Sequence, residues 1–427
     1  MSRAGTSSGR VGQDRNPGLN GLVRTKVASA AARASTWPWW AQVAGVYVAA
    51  RAVSACIFMA AALHQGANPW LPAKPDYWNF INIWDARWYG EVLRSGYPSQ
   101  LPVDESGNVQ ENAWAFYGLF PMLGRALSAM TGMDPALALT FIAMASGLGA
   151  ALVVYCLFRQ KAGHRTAMWA VVFFSTFPVA AVLQVPYAES LNLLLLASAL
   201  LLVMQRRYLW AMPVVVLMCL SRPTGVPFAA MVCGLLAYRL WLRNRPAAPG
   251  SQAARHSARD LVALAALAAV SGISALIWPA VAWAVTGDPA AYTKTETVWR
   301  GHDLVPFKPW FDTGIQLFGP VLGVLAPFVF VAVFGLAMTS PPVVALGAEL
   351  RLWCVCYMGY LLVFLHPQTS TFRMLLPLFP LALGAALLSR SRAYRGTVVT
   401  MFVLLQIVWI VWLWAWAELP GGGDYPP

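Results

Sequence analysis

Long apolar runs alternate with short polar connections along most of the chain, and this alternation predicts eleven membrane-spanning helices. They run near Trp39–Leu63, Ala136–Phe158, Ala167–Leu183, Leu191–Met204, Leu209–Leu220, Val226–Leu242, Leu261–Val285, Gly314–Met338, Trp353–Leu365, Met374–Leu388 and Gly396–Ala417. Several are shorter than the ~20 residues that cross a bilayer. Prolines and glycines at their ends predict broken or tilted helices, which are tolerated at membrane depth only where the backbone is buried or lines a cavity. One polar stretch interrupts the pattern. Asn82–Pro98, NIWDARWYGEVLRSGYP, gathers Trp84, Asp85, Arg87, Trp88, Tyr89 and Glu91 in a chain that otherwise avoids charge. A helix running on from Tyr77 would place Tyr77, Ile81, Trp84, Trp88 and Val92 on one apolar face, with Asp85 and Tyr89 one turn apart beside it. Such a helix would lie at a membrane surface. It reads either as an anchor with solvated charges or as a functional acid, because an anchor needs the tryptophans but not the aspartate between them.

Composition narrows the class. Hydrophobic residues make up 59% and charged residues 11%, against roughly a quarter charged in a soluble domain. The fold class is an all-α polytopic membrane protein; the apolar runs are too long for a transmembrane barrel. Cys56, Cys156, Cys219, Cys233, Cys354 and Cys356 all fall inside apolar segments and read as small core hydrophobes.

Charge sets the expected topology. Residues 1–37 read as a disordered, basic cytoplasmic tail with six cations against Asp14. Residues 38–417 are expected to form the membrane domain, with a large first outer loop over 64–135 that contains interfacial helices, and 418–427 a short outer tail. With the N-terminus inside, the inner segments hold 20 of the 30 Lys plus Arg and 3 of the 17 acids. The positive-inside rule then gives an N-in, C-out chain with its chemistry on the acid-rich outer side. The sequence carries no internal repeat, direct or inverted.

Few residues are placed to do that chemistry. Glu189 opens a predicted span, where a helix N-terminus favours a carboxylate, and it faces the same side as Asp85. Arg222 follows an apolar span. It either meets a phosphate, which suits its planar fork, or pairs with Asp85 or Glu189. His302 and Asp303 precede Trp310 and Phe311 in an outer loop. Aromatic rings beside polar groups suit a sugar face or an isoprenoid chain, and equally an ordinary interfacial anchor. His366 and Arg373 flank another outer loop, where Arg373 could hold a lipid phosphate or touch bulk headgroups. Arg51, inside the first span, reads as a snorkelling or structurally paired residue. The sequence has no Walker loop, no GxGxxG opening a soluble domain, no HExxH, no CxxC and no nucleophile elbow. No nucleic-acid partner is expected.

Five motifs come in a familiar order: WDARWYGEVLRSGYP, FYGLFP, PYAES, SRPTG and TFRMLLPLFPLAL. Over roughly Asn82–Leu383 the chain resembles the GPI mannosyltransferase 2 family, specifically its actinobacterial relatives. FYGLFP departs from the pattern at Gly118, where proline is expected. The resemblance implies a GT-C glycosyltransferase fold in the cell membrane, with an extracytoplasmic active site. It implies a polyprenyl-phosphate mannose donor in the lipid bilayer and a glycolipid, lipoglycan or glycan acceptor. By analogy Asp85, the acid of the first outer loop, is the general base, and Glu189 is the second candidate catalytic carboxylate. Trp84, Arg87, Trp88, Tyr89, Tyr187, Arg222, His302, Asp303, His366 and Arg373 then contact substrate or donor. The expected cofactor is none beyond the lipid-linked sugar: arginines can serve the phosphate, although an acidic cluster of Asp85 with Glu189 leaves metal use open. The competing readings are a lipid or glycolipid flippase or transporter, and a protein O-mannosyltransferase.

Overall fold

A computed structural model describes residues 36–244, 257–299 and 305–418. Nearly all of the expected tails, the cationic segment 245–256, and His302 and Asp303 lie outside the described residues.

The described chain is helical, and its only bridge between extended residues is an isolated pair, Val103 with Val109. The helices are α1 (Trp39–His64), α2 (Tyr77–Ile81), α3 (Asp85–Ser95), α4 (Leu119–Thr131), α5 (Pro135–Arg159), α6 (His164–Thr176), α7 (Glu189–Met204), α8 (Tyr208–Cys219) and α9 (Gly225–Asn244). They continue with α10 (Ala258–Ala275), α11 (Ile277–Thr286), α12 (Ala291–Val298), α13 (Lys308–Thr339), α14 (Pro341–Val344), α15 (Ala348–Phe364), α16 (Thr371–Met374), α17 (Pro380–Leu388) and α18 (Arg392–Val408). Caps from the sequence set several starts: Asp134 accepts from the backbone of Ala136 at the head of α5, and Ser257 from that of Asp260 at the head of α10.

Among the described residues, six helical stretches are long and apolar enough, by length and composition, to cross a membrane: Trp39–His64, Pro135–Arg159, Gly225–Asn244, Ala258–Thr286, Lys308–Thr339 (interrupted at Gly319) and Arg392–Trp414. A seventh arises if Thr371–Leu378 and Pro380–Leu388, bent by 74°, count as one broken span. Two of the eleven expected spans, α7 and α8, are shorter apolar helices. The third expected span is α6 followed by a separate 3-10 turn, Ala180–Gln184, because Phe177 leaves helical geometry.

Two expectations are corrected. The polar stretch is two helices rather than one. Trp84 takes φ 59°, ψ −131° and separates α2 from α3, so the apolar row running from Tyr77 to Val92 is broken. Its side chain is 4% exposed, so it is a core residue and not a headgroup anchor. The expected span from Gly314 is likewise divided. Gly319 takes φ 77°, ψ 175°, and the chain folds back there. Trp310 then stacks on Phe330 at 5.6 Å, Phe311 meets Phe328 at 5.5 Å, and Gly314 lies against Gly323. A Cβ on Gly323 would sit 2.3 Å from the Ile315 backbone, so only glycine permits this approach.

Inside the expected outer loop, where interfacial helices were expected, the chain also forms α4. The bundle therefore has two ends. The starts of α3, α5 and α7 and the turn after α8 converge at one. The starts of α6 and α18 and the end of α17 lie at the other.

Candidate active site

Both candidate carboxylates open helices. Asp85 is the first residue of α3 and Glu189 the first of α7. Each therefore sits at the positive end of a helix, which favours a negative charge. Trp84, just before Asp85, adopts a backbone conformation rare for a bulky residue, which costs on the order of 1–3 kcal/mol. Its surroundings hold it there. The Trp84 indole N–H donates to the Trp414 carbonyl at 2.8 Å, its ring lies 5.4 Å from that of Trp70, and the next backbone N–H, of Asp85, donates to the Tyr187 hydroxyl at 3.2 Å. The strain thus aims the Asp85 carboxylate at residues far away in sequence.

Those residues are arginines. The Arg373 Nη1 donates to Asp85 Oδ2 and also, at 3.0 Å, to Glu189 Oε1. Arg222 Nη1 lies 2.8 Å from the same Glu189 oxygen. The four charges alternate in sign, from Asp85 through Arg373 and Glu189 to Arg222, and sum to zero. All are sheltered: Asp85 and Arg222 side chains are 15% exposed, Arg373 7% and Glu189 5%. Desolvating each costs several kcal/mol, so the alternation is what makes the cluster tolerable. Glu189 Oε2 and Arg373 Nε are buried without hydrogen-bond partners. The Arg373 guanidinium also lies 5.3 Å from the centre of the Tyr187 ring.

The arginines are held from behind. Arg222 lies in the turn Ser221–Thr224 between α8 and α9. Asn192, one helical turn after Glu189, donates through its amide to Ser221 Oγ and Thr224 Oγ1, each at 2.9 Å. Tyr357 donates to the Met374 carbonyl at 2.8 Å, and Arg222 Nη2 reaches the Met374 sulfur at 3.3 Å.

This network lines a cleft of about 510 Å³. Trp88 stacks on Phe116 at 5.5 Å and 15°, and Trp299 meets Phe116 edge-on at 6.3 Å, so one side of the cleft is aromatic. Glu111, Glu296, His366 and Gln368 also face the cleft, and Gln368 donates to the Trp299 carbonyl at 3.0 Å. Tyr89 lines it too; burial pushes its phenol well above the usual range, so it remains a hydrogen-bond donor.

Of the residues singled out from sequence, Asp85, Glu189, Trp84, Trp88, Tyr89, Arg222, His366 and Arg373 line the cleft together. Tyr187 does not; it stands behind Asp85 and Arg373 as a buried support. Arg87 is exposed and lies 4.2 Å over the Trp70 ring, outside the lining. Arg51 is a structural residue, donating to the Ala180 and Ser175 carbonyls. Sequence reasoning missed Asn192, Glu111, Glu296, Trp299, Tyr357 and Tyr360. Only Asn192 carried a usable signal, as a lone amide three residues after Glu189 in a leucine-rich helix.

No protein-family model and no curated protein matches the chain. Its likeness is to oligosaccharyltransferase structures. The Archaeoglobus fulgidus oligosaccharyltransferase in the apo form matches with a TM-score of 0.43 and 12% identity, over 86% of this chain and 56% of that one. The same archaeal enzyme, AglB, in complex with an inhibitory peptide and a dolichol-phosphate gives 0.43 and 13%, over 86% and 55%. Its form tethered to an acceptor peptide gives 0.39 and 14%, over 86% and 54%. The chain thus spans about half the length of these structures.

Proposed function

We propose that the chain is an integral-membrane glycosyltransferase of the GT-C type. It moves a sugar, mannose by the motif resemblance, from a polyprenyl-phosphate carrier to a hydroxyl of a glycolipid, lipoglycan or glycan. The observation that carries this reading is the pairing of two carboxylates with two arginines in one cleft at the end of an apolar bundle. Phosphate matches the guanidinium fork, and a hydroxyl nucleophile needs a nearby base.

In this scheme Asp85 takes the acceptor hydroxyl proton as that oxygen attacks the anomeric carbon. The bond from that carbon to the phosphate oxygen breaks, and the polyprenyl phosphate leaves as a stable anion. Arg222 and Arg373 neutralise the charge that develops on it. One displacement inverts the anomeric centre. The isoprenoid tail remains in the bilayer, while the sugar rises to Asp85 beside Trp88 and Phe116. The scheme requires no metal ion. The positive-inside asymmetry supports a cell-membrane protein with this cleft on the outer side.

The test uses the full-length protein in lipid vesicles with polyprenyl-phosphate mannose labelled in the sugar, plus a lipid extract as acceptor source. The expected result is release of polyprenyl phosphate and label in a new glycolipid. Movement of intact donor between leaflets with no cleavage would overturn the reading in favour of a transporter. Label transferred only to serine- or threonine-bearing peptides would move the assignment to protein O-mannosylation.

A further inference from the structure

Among the described residues, one group of cations at the end of the bundle away from the cleft has no carboxylate paired with it. Arg395, the fourth residue of α18, is 2% exposed, and its guanidinium lies 5.2 Å from the centre of the Trp169 ring on α6. Its Nε has no hydrogen-bond partner. Arg165, one helical turn before Trp169, and Arg390, just before the start of α18, are both exposed, and among the described residues no ion pair joins Arg395 to a carboxylate. Arg165 is the second residue of α6, and Arg390 lies in the short link between α17 and α18. The Tyr394 hydroxyl donates to the Ala385 carbonyl at 3.0 Å and ties that link in place.

This arrangement is electrostatically frustrated. The N-terminus of a helix carries roughly half a positive charge, so cations in the first turn are unfavourable there. Two such N-termini, of α6 and α18, meet here with three guanidiniums. Other sheltered cations do find acids: Arg222 and Arg373 meet Glu189 at the cleft, and Arg239 and Lys161 meet Glu349 away from it. A bound anion would supply the charge that no side chain provides.

We propose that Arg165, Arg390 and Arg395 form a site for a phosphate-bearing anion at the end of the bundle opposite the cleft. Arg165 and Arg390 grip it from the exposed side, and Arg395, stacked on Trp169, is the floor beneath it. Phosphate is the fitting chemistry because its oxygens accept the paired donors of a guanidinium. It can come from a phospholipid headgroup or from a soluble phosphate.

The experiment measures thermal unfolding of the full-length protein in detergent, with phosphatidylglycerol or phosphatidylcholine added to the micelles, and with inorganic phosphate in a third arm. Stabilisation by phosphatidylglycerol but not phosphatidylcholine is expected. Arg165→Gln or Arg390→Gln, both exposed and so compatible with folding, should each weaken the apparent affinity roughly fivefold. Arg243→Gln, an exposed cation elsewhere, should leave it unchanged. Equal stabilisation by inorganic phosphate keeps the site and makes its source soluble. If neither anion stabilises, or if Arg243→Gln weakens binding as much as Arg165→Gln, there is no built site and the proposal falls.

Discussion

Replacing Arg373 with methionine tests the charge network most directly, whatever the reaction. The substitution keeps aliphatic bulk and removes a guanidinium shared by Asp85 and Glu189. Glu189 keeps a partner, because Arg222 lies 2.8 Å from its Oε1. Asp85 has only Arg373 as an ion-pair partner among the described residues. At an effective dielectric near 20, unit charges about 3 Å apart attract by about 5 kcal/mol. Removing Arg373 also removes its own desolvation cost, so the net loss should be ~3–5 kcal/mol, as for other buried pairs stripped of one member. Loss of the contact with the Tyr187 ring adds on the order of 1 kcal/mol. The midpoint of thermal unfolding in detergent should fall by on the order of 5–10 °C.

A double-mutant cycle separates this account from mere loss of packing. Asp85→Asn alone leaves Arg373 with Glu189 at 3.0 Å, so it should be mild. Asp85→Asn combined with Arg373→Met removes the orphaned carboxylate and should recover ~2–3 kcal/mol relative to additivity. If Arg373→Met unfolds within about 2 °C of the wild type, or if the two changes simply add, the buried alternation of charge is not what holds this end of the bundle together.

On the proposed reaction, Asp85→Asn should lose roughly 10²-fold or more in kcat at near-normal donor KM, while Glu91→Gln, exposed on the same helix, keeps turnover; a dead Glu189→Gln with an active Asp85→Asn would move the base to Glu189. Gly323→Ala should lower the unfolding midpoint, since its Cβ would meet the Ile315 backbone at 2.3 Å, whereas Gly335→Ala, with nothing within 4 Å, should not; equal midpoints would refute the fold-back at Gly319. A cysteine at Ser106 should react with an impermeant thiol reagent on intact cells and one at Ser251 should not, and the reverse pattern would invert the expected topology.

The helical class was legible because apolar runs need no partner to be recognised. The charged lining of the candidate cleft was legible for the converse reason: in so apolar a chain, WDARWY and the isolated Glu189, Arg222 and Arg373 stand out. What the arginines touch was not legible. Arg373 lies 288 residues from Asp85 and 184 from Glu189, and spacing alone left phosphate and ion pair both open. The break at Trp84 was hidden as well, because the apolar row from Tyr77 to Val92 continues across it. The break is imposed by Trp414 and Tyr187, which no local pattern reports. The fold-back at Gly319 did have a local sign in the Gly319–Pro320 pair, but an unbroken hydrophobic run masked it. The bounds of the helix Leu119–Thr131 were not legible, although interfacial helices were expected in this outer loop, because at 13 residues it is too short to stand out as a span.

The ion network also bears on how the proposed reaction begins. Arg373 donates to Asp85, so the guanidinium must shift before that carboxylate can meet an acceptor hydroxyl. Glu189 brings both guanidiniums to a single oxygen, and that convergence is the geometry a phosphate would also require. A donor phosphate entering between Arg222 and Arg373 would exchange one anion for another around the same two cations. The electrostatic cost of that exchange is small, because the arginines are already desolvated and already turned toward a common point. Drawing Arg373 onto the phosphate would release the Asp85 oxygen beside the sugar it must serve. On this argument Glu189 gathers the two arginines where a donor phosphate would, and the proposed base, Asp85, would be freed as that phosphate binds.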